Sequence, residues 1–187
     1  MMARIPVHST DDAPEGAREH LKQLEAHLGT VLNIHGEMAH APVLLAAYTG
    51  IQQAITTHGT FEARTREAIA LAVGAVNDCA YCQSAHTGMA RQVGWSTDET
   101  IAIRNGEHLP QNESLTVLLR VARDIAEAGG EVRDDTWQQA VDAGWTTTEL
   151  TELYAHVVVN LFTNYFNHYA RTDLDLPPAP GLESHHT

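Results

Sequence analysis

The stretch Glu67-Ala68-Ile69-Ala70-Leu71-Ala72-Val73-Gly74-Ala75-Val76-Asn77-Asp78-Cys79-Ala80-Tyr81-Cys82-Gln83-Ser84-Ala85-His86 decides the reading of this chain. Its first half is a nearly unbroken apolar run, long for a strand and free of alternation, which reads as a buried helix ending near Val76. Asn77-Asp78 offers a break and an N-cap, so a second helix is predicted from Cys79 to about Val93. With Asp78 as the cap, Cys79 is the first helical residue, and Cys79, Cys82 and His86 share one face because side chains three and four apart are neighbours on a helix.

Working outward, the helical pattern continues. Pro14 suits a first helical position, with Asp12 or Ala13 before it, and that helix runs to about Leu28. Pro42 opens another through Leu44, Leu45, Tyr48, Ile51 and Ile55, stopped at Gly59-Thr60. Further helices are predicted over about 113–128, 134–143 and 147–169. Gly94-Trp95-Ser96-Thr97-Asp98-Glu99 recurs as Gly144-Trp145-Thr146-Thr147-Thr148-Glu149: a glycine stop, a tryptophan and a Ser/Thr-x-x-Glu capping box. Good local capping chemistry accounts for the recurrence without a true duplication. Short connections of this kind imply antiparallel neighbours. No strand alternation persists. The expectation is one all-α multi-helix bundle over 1–187, with its core at about 12–170 and an extended tail over about 171–187, where Pro177-Pro178 and Pro180-Gly181 fall.

Composition narrows the partners. The 187 residues are 43% hydrophobic and carry a formal net charge of −13. No Lys/Arg stripe exists to displace counterions from nucleic acid, and an anionic membrane surface is equally disfavoured. No apolar run reaches the ~20 residues of a membrane span. The start, Met1-Met2-Ala3-Arg4-Ile5-Pro6, lacks the apolar stretch of a secretion signal, so a cytoplasmic location is expected. In that reducing setting two cysteines three apart point to redox, sensing or metal chemistry before a structural disulfide.

Three readings of the thiol window compete. In the first, a thiolate attacks a peroxide oxygen to give a sulfenic acid, and the second thiol condenses with it to a disulfide. The helix start favours a thiolate, and His86 one turn beyond Cys82 can move a proton. Glu67 comes near His86 only if the two helices pack with a suitable offset. In the second, Cys79, Cys82 and His86 bind a metal, with Glu67 a fourth ligand; structural zinc usually needs a second ligand pair, and the chain has only 2 cysteines. In the third, the cysteines are inert core.

The window Glu67-x11-Cys79-x2-Cys82-x3-His86 resembles the core motif of the alkylhydroperoxidase D (AhpD)-like group within the carboxymuconolactone decarboxylase superfamily. Arg4-Ile5-Pro6, Thr65-Arg66-Glu67 and the run Asn160-Leu161-Phe162-Thr163-Asn164-Tyr165-Phe166-Asn167-His168 resemble peroxidase-related members. The resemblance implies an all-α homo-oligomer, a trimer or hexamer, that reduces hydroperoxides at the expense of an external thiol or dithiol, with no cofactor. It implies Cys82 as the peroxidatic thiol, Cys79 as the resolving one, and His86 with Glu67 as the proton relay. The dithiol argues against the decarboxylase branch, which lacks it. One departure stands out: Tyr81 occupies the position next to the second cysteine where the best-known peroxidases carry histidine. Tyrosine, with a reference pKa of ~10, is a poor base near neutrality. The alternative is therefore a non-peroxidase of the same fold that performs thiol-disulfide exchange or redox sensing.

Other polar residues read more blandly. His156, Asn160, Asn164 and His168 form a stripe on the apolar last helix, expected as a hydrogen-bond ladder. The 12 histidines are otherwise expected at the surface, including His35, His40, His185 and His186. Arg64 and Arg66 read as solvated first-turn charges in preference to an anion site, and Met38 and Met89 as core filler.

Overall fold

The computed structural model describes residues 3–182; His185 and His186 lie outside them. Among the described residues the regular structure is helical: α1 (Glu15–Leu28), α2 (Asn33–Met38), α3 (Pro42–His58), α4 (Ala63–Val76), α5 (Ala80–Gln92), α6 (Thr97–Asn105), α7 (Glu113–Glu127), α8 (Asp134–Asp142) and α9 (Thr147–Ala170). The all-α expectation holds. Among the described residues no helix is long and apolar enough to cross a membrane.

α4 is the axis of the bundle, packed against α5, α6, α7 and α9. Its run from Ala68 through Val73 is buried on all sides, as the unbroken apolar sequence requires. Two apolar clusters make up the core, the first of them built on α4. One joins Ile69, Leu71 and Val73 to Leu118 and Val121 of α7 and to Leu153 and Val157 of α9. The other joins Leu21, Met38, Leu45 and Phe166 to Cys79, Tyr81 and Cys82. Full burial of each large apolar side chain contributes roughly 1.5–3 kcal/mol, so the dithiol is built into the core it helps to close.

The tryptophan corners share more than capping. Ser96 and Thr146 each complete a capping box with Glu99 and Glu149. Trp95 Nε1 donates to the carbonyl of Arg64, and Trp145 Nε1 to that of Ser114, each at 2.9 Å across 31 residues. The preceding Gly94 and Gly144 sit at φ 92° and 94°, a left-handed backbone that glycine adopts without a Cβ clash. The α4–α5–α6 and α7–α8–α9 units thus repeat one construction, tertiary bonds included. Where the first unit turns through the dithiol, the second turns through Gly129-Gly130.

The sequence reading missed α2, a six-residue helix without apolar periodicity. Packing holds it: Gly36 accepts from the His8 N–H at 3.1 Å, and a Cβ on it would lie 2.4 Å from Val7. The tail beyond α9 runs back over the bundle without helix. Asp175 accepts from the Asn33 N–H, the Ala179 N–H donates to Ser84 Oγ at 3.1 Å, and Arg104 donates to the Pro180 carbonyl.

Candidate active site

The turn between α4 and α5 positions the dithiol. Asp78 lies in the left-handed region (φ 48°), which aspartate tolerates better than most residues. Its side chain is not the N-cap. Cys79 is: its sulfur accepts from the Cys82 N–H at 3.3 Å, and the helix begins at Ala80. The one-residue correction follows from the sharp turn, in which the Cys79 N–H donates back to the Gly74 carbonyl at 2.9 Å. A sulfur thus satisfies one of the orphan amides of the helix start.

Both cysteines are free, with sulfurs 2.7 Å apart and the Cys79 thiol donating toward Cys82. The side-chain amide of Asn167 on α9 donates to Cys82 at 3.2 Å and to Cys79 at 3.7 Å. The bond from Cys79, helped by Asn167, Asn164 and Thr163, holds the Cys82 thiol below its ordinary pKa against the opposing effect of burial. Donating toward Cys82 and being buried push Cys79 the other way. The pair is polarised: Cys82 is the sulfur set up to be thiolate, Cys79 the one set up to keep its proton.

Glu67 and His86 meet. The contact left open by the sequence is a 2.8 Å hydrogen bond between Glu67 Oε2 and His86 Nδ1, with both side chains about four-fifths buried (18% and 21% exposed). α4 and α5 pack with the offset this pair requires. Fixing Nδ1 on the carboxylate leaves Nε2 as the working nitrogen.

Glu67, Cys82 and His86 all line one cavity of about 600 Å³, whose wall also holds Tyr48, His35 and Asn167; Cys79 does not line it. The volume falls in the range of small-molecule sites, roughly 300–1,000 Å³. Cys82 therefore faces the space a substrate would enter, and Cys79 stands behind it.

Tyr81 is engaged elsewhere than with the Glu67–His86 pair. Its hydroxyl donates to Asp175 Oδ1 at 2.7 Å, and burial followed by this bond pushes its pKa up. It ties the tail to the dithiol turn. The α9 stripe divides its work: Asn164 Oδ1 accepts from Asn77 at 3.1 Å, His168 Nε2 meets the Asn77 carbonyl at 2.7 Å, and Asn160 bonds the His156 carbonyl. His156 bonds Glu152, which also accepts from the backbone of Thr60 and Phe61. The surface expectation fails for His35, which is buried; His156, expected in the ladder, is buried as well. His35 stacks on Tyr48 with ring centroids 5.5 Å apart, and burial lowers its pKa to about 4. Asn167 falls within the Asn160–His168 run that carries the resemblance, with no spacing of its own to mark it. It lies outside the four-residue stripe because it faces the sulfurs and not the stripe's partners.

The site is thus a polarised buried dithiol beside a Glu–His pair, held in a helical bundle. Residues 42–124 match the carboxymuconolactone decarboxylase family. No curated protein matches the chain by sequence. Among solved structures, an uncharacterized peroxidase-related protein from Ralstonia eutropha JMP134, described as an alkylhydroperoxidase AhpD core, is 20% identical and superposes with a TM-score of 0.81 over 94% of this chain and 93% of that one. The debrominase Bmp8, in complex with 2,3,4-tribromopyrrole, is 18% identical with a TM-score of 0.80 over 94% and 93%. A protein of unknown function from Agrobacterium tumefaciens, a putative antioxidant defence protein AhpD, is 20% identical with a TM-score of 0.64 over 73% and 94%. The family match over residues 42–124 and the shared fold support the resemblance to the AhpD-like group of the carboxymuconolactone decarboxylase superfamily.

Proposed function

We propose that the protein is a thiol-dependent hydroperoxide reductase in which Cys82 is the peroxidatic thiol, Cys79 the resolving thiol, and Glu67–His86 the proton relay. The carrying observation is that Cys82, the cysteine with the lowered pKa, lines the same cavity as the Glu67–His86 pair, with Cys79 2.7 Å behind it. The Cys82 proton passes to His86. The thiolate attacks the terminal peroxide oxygen, the O–O bond breaks, and the departing alkoxide takes the proton from His86 and leaves as alcohol. Cys79 then attacks the Cys82 sulfenic acid; the S–O bond breaks, water leaves with the Cys79 proton, and a disulfide forms. One hydroperoxide and two thiols give alcohol, water and a disulfide, which an external thiol or dithiol returns to the reduced state. A cytoplasmic homo-oligomer is the setting this reading assumes.

The fold neighbour that is a debrominase supports a second reading, and the aromatic wall formed by His35 and Tyr48 gives it a structural footing. Here the thiolate removes halogen from an aromatic ring, the ring carbon takes a proton, and Cys79 displaces halide to close the same disulfide. Exchange with a protein disulfide is disfavoured, since Cys79 and Cys82 are only 2% and 4% exposed. One experiment separates these readings: mix the reduced protein with an organic hydroperoxide, a bromopyrrole or a small disulfide. Then follow peroxide loss, bromide release, free thiols and mass. Fast loss of one peroxide with both thiols supports the peroxidase; bromide release without peroxide loss supports the second reading; silence to all three refutes dithiol chemistry.

A further inference from the structure

We propose that Arg66 makes the cavity specific for amphipathic carboxylates, so that the substrate is an apolar molecule carrying both the reacting group and a carboxylate. For its chemistry this substrate class rests on the dithiol reading; for its binding it rests on the cavity alone.

The apolar part of the lining comes from Leu24, Leu28, Leu32, Ile34, Ile55 and Met89. Against that wall the charged groups are few. Glu67 is the one carboxylate among the described lining residues, and it is bonded to His86. Burial keeps His35 neutral, with a pKa of about 4, and burial likewise lowers that of His156, with Arg66 adding to the effect. Arg66 is the one lining residue that is always cationic.

Its neighbour shows what a spent arginine looks like. Arg64 pairs with Glu99 at 3.3 Å and stacks over Trp95 at 3.9 Å, so it is absorbed into the tryptophan corner. Arg104 and Arg123 donate to backbone carbonyls. Arg66 is half-buried, and among the described residues its guanidinium has no ion pair and no hydrogen bond. A partly desolvated charge without a partner is costly. A carboxylate on a bound molecule removes that cost, and the guanidinium fork matches it with two parallel hydrogen bonds.

The test uses probes that cannot react. The reduced full-length protein is titrated calorimetrically with octanoate, methyl octanoate and octylamine, and the titrations are repeated on Arg66→Gln. Octanoate is expected to bind at least about tenfold more tightly than its ester, as a charge-assisted pair allows, with the amine weakest. Arg66→Gln is expected to bring acid and ester to near equality while ester binding and the thermal melt persist. Equal affinity of acid and ester for the unaltered protein, an acid preference that survives in Arg66→Gln, or no binding of either overturns the proposal. Failure of the peroxidase reading shows separately, as octanoate binding without hydroperoxide turnover.

Discussion

The amide of Asn167 reaches both sulfurs of the dithiol, 3.2 Å from Cys82 and 3.7 Å from Cys79. A residue on the last helix thereby sets the electrostatics of a turn eighty-five residues earlier in the chain. Replacing it tests whether that bond matters. A hydrogen bond to a charged group contributes roughly 1.5–3 kcal/mol. Asn167→Ala is therefore expected to raise the Cys82 pKa and slow alkylation near neutral pH about tenfold or more. Asn167→Asp should do worse through like-charge repulsion. Thiolate absorbance against pH checks both, and unchanged titration curves would remove Asn167 from the site.

The two cysteines should fail differently. Cys82→Ser should lose turnover entirely. Cys79→Ser should consume one hydroperoxide and stop, holding a Cys82 sulfenic acid or a mixed disulfide visible by mass spectrometry. Equal and full activity of both variants would refute the dithiol mechanism.

Glu67 and His86 should behave as one unit, because the 2.8 Å bond between them makes each depend on the other. Glu67→Gln and His86→Ala are each expected to lower the hydroperoxide rate by about 10²–10⁴-fold, the usual range for a lost acid–base group. The double variant should be little worse than His86→Ala. Fully additive losses, or an unchanged pH–rate profile in His86→Ala, would mean that the pair is not the relay.

Acid stability should depend on His35. Burial lowers its pKa from 6.5 to about 4 in the folded protein. As pH falls below 6.5 the unfolded chain takes up a proton that the folded one refuses. Stability is complete above that value and is lost progressively down to about pH 4, by roughly 3 kcal/mol in all. His35→Phe keeps a ring against Tyr48 and should flatten that part of the curve. Denaturant melts at several pH values measure the slope, and an identical slope in the variant would overturn the assignment.

How much of this was written in the chain depends on range. Helix type, the capping boxes and the shared face of Cys82 and His86 are local properties, set by periodicity over a few residues, and they were legible; Cys79, an extended N-cap outside the helix, does not share that face. The one-residue shift of the N-cap was not. It turns on whether Asp78 or a cysteine sulfur meets the amides of α5, and the left-handed backbone at Asp78 decides that. α2 escaped because packing against Val7 and His8 forms it, not its own propensity.

Sequence by itself determined an all-α bundle, a dithiol at a helix start and a histidine one turn along. Only the tertiary structure decided which partners those groups have. The offset of α4 against α5 brings Glu67 to His86, and α9 delivers Asn167 to the sulfurs. The bond to Asp175 makes Tyr81 an anchor for the tail. Packing also spends Arg64 on Glu99 and leaves its near neighbour Arg66 facing the cavity. The two arginines are the same residue type two positions apart on one helix, so periodicity puts them on opposite faces, about 200° apart, without saying what either face will meet. The difference is which surface each meets once the helices are packed.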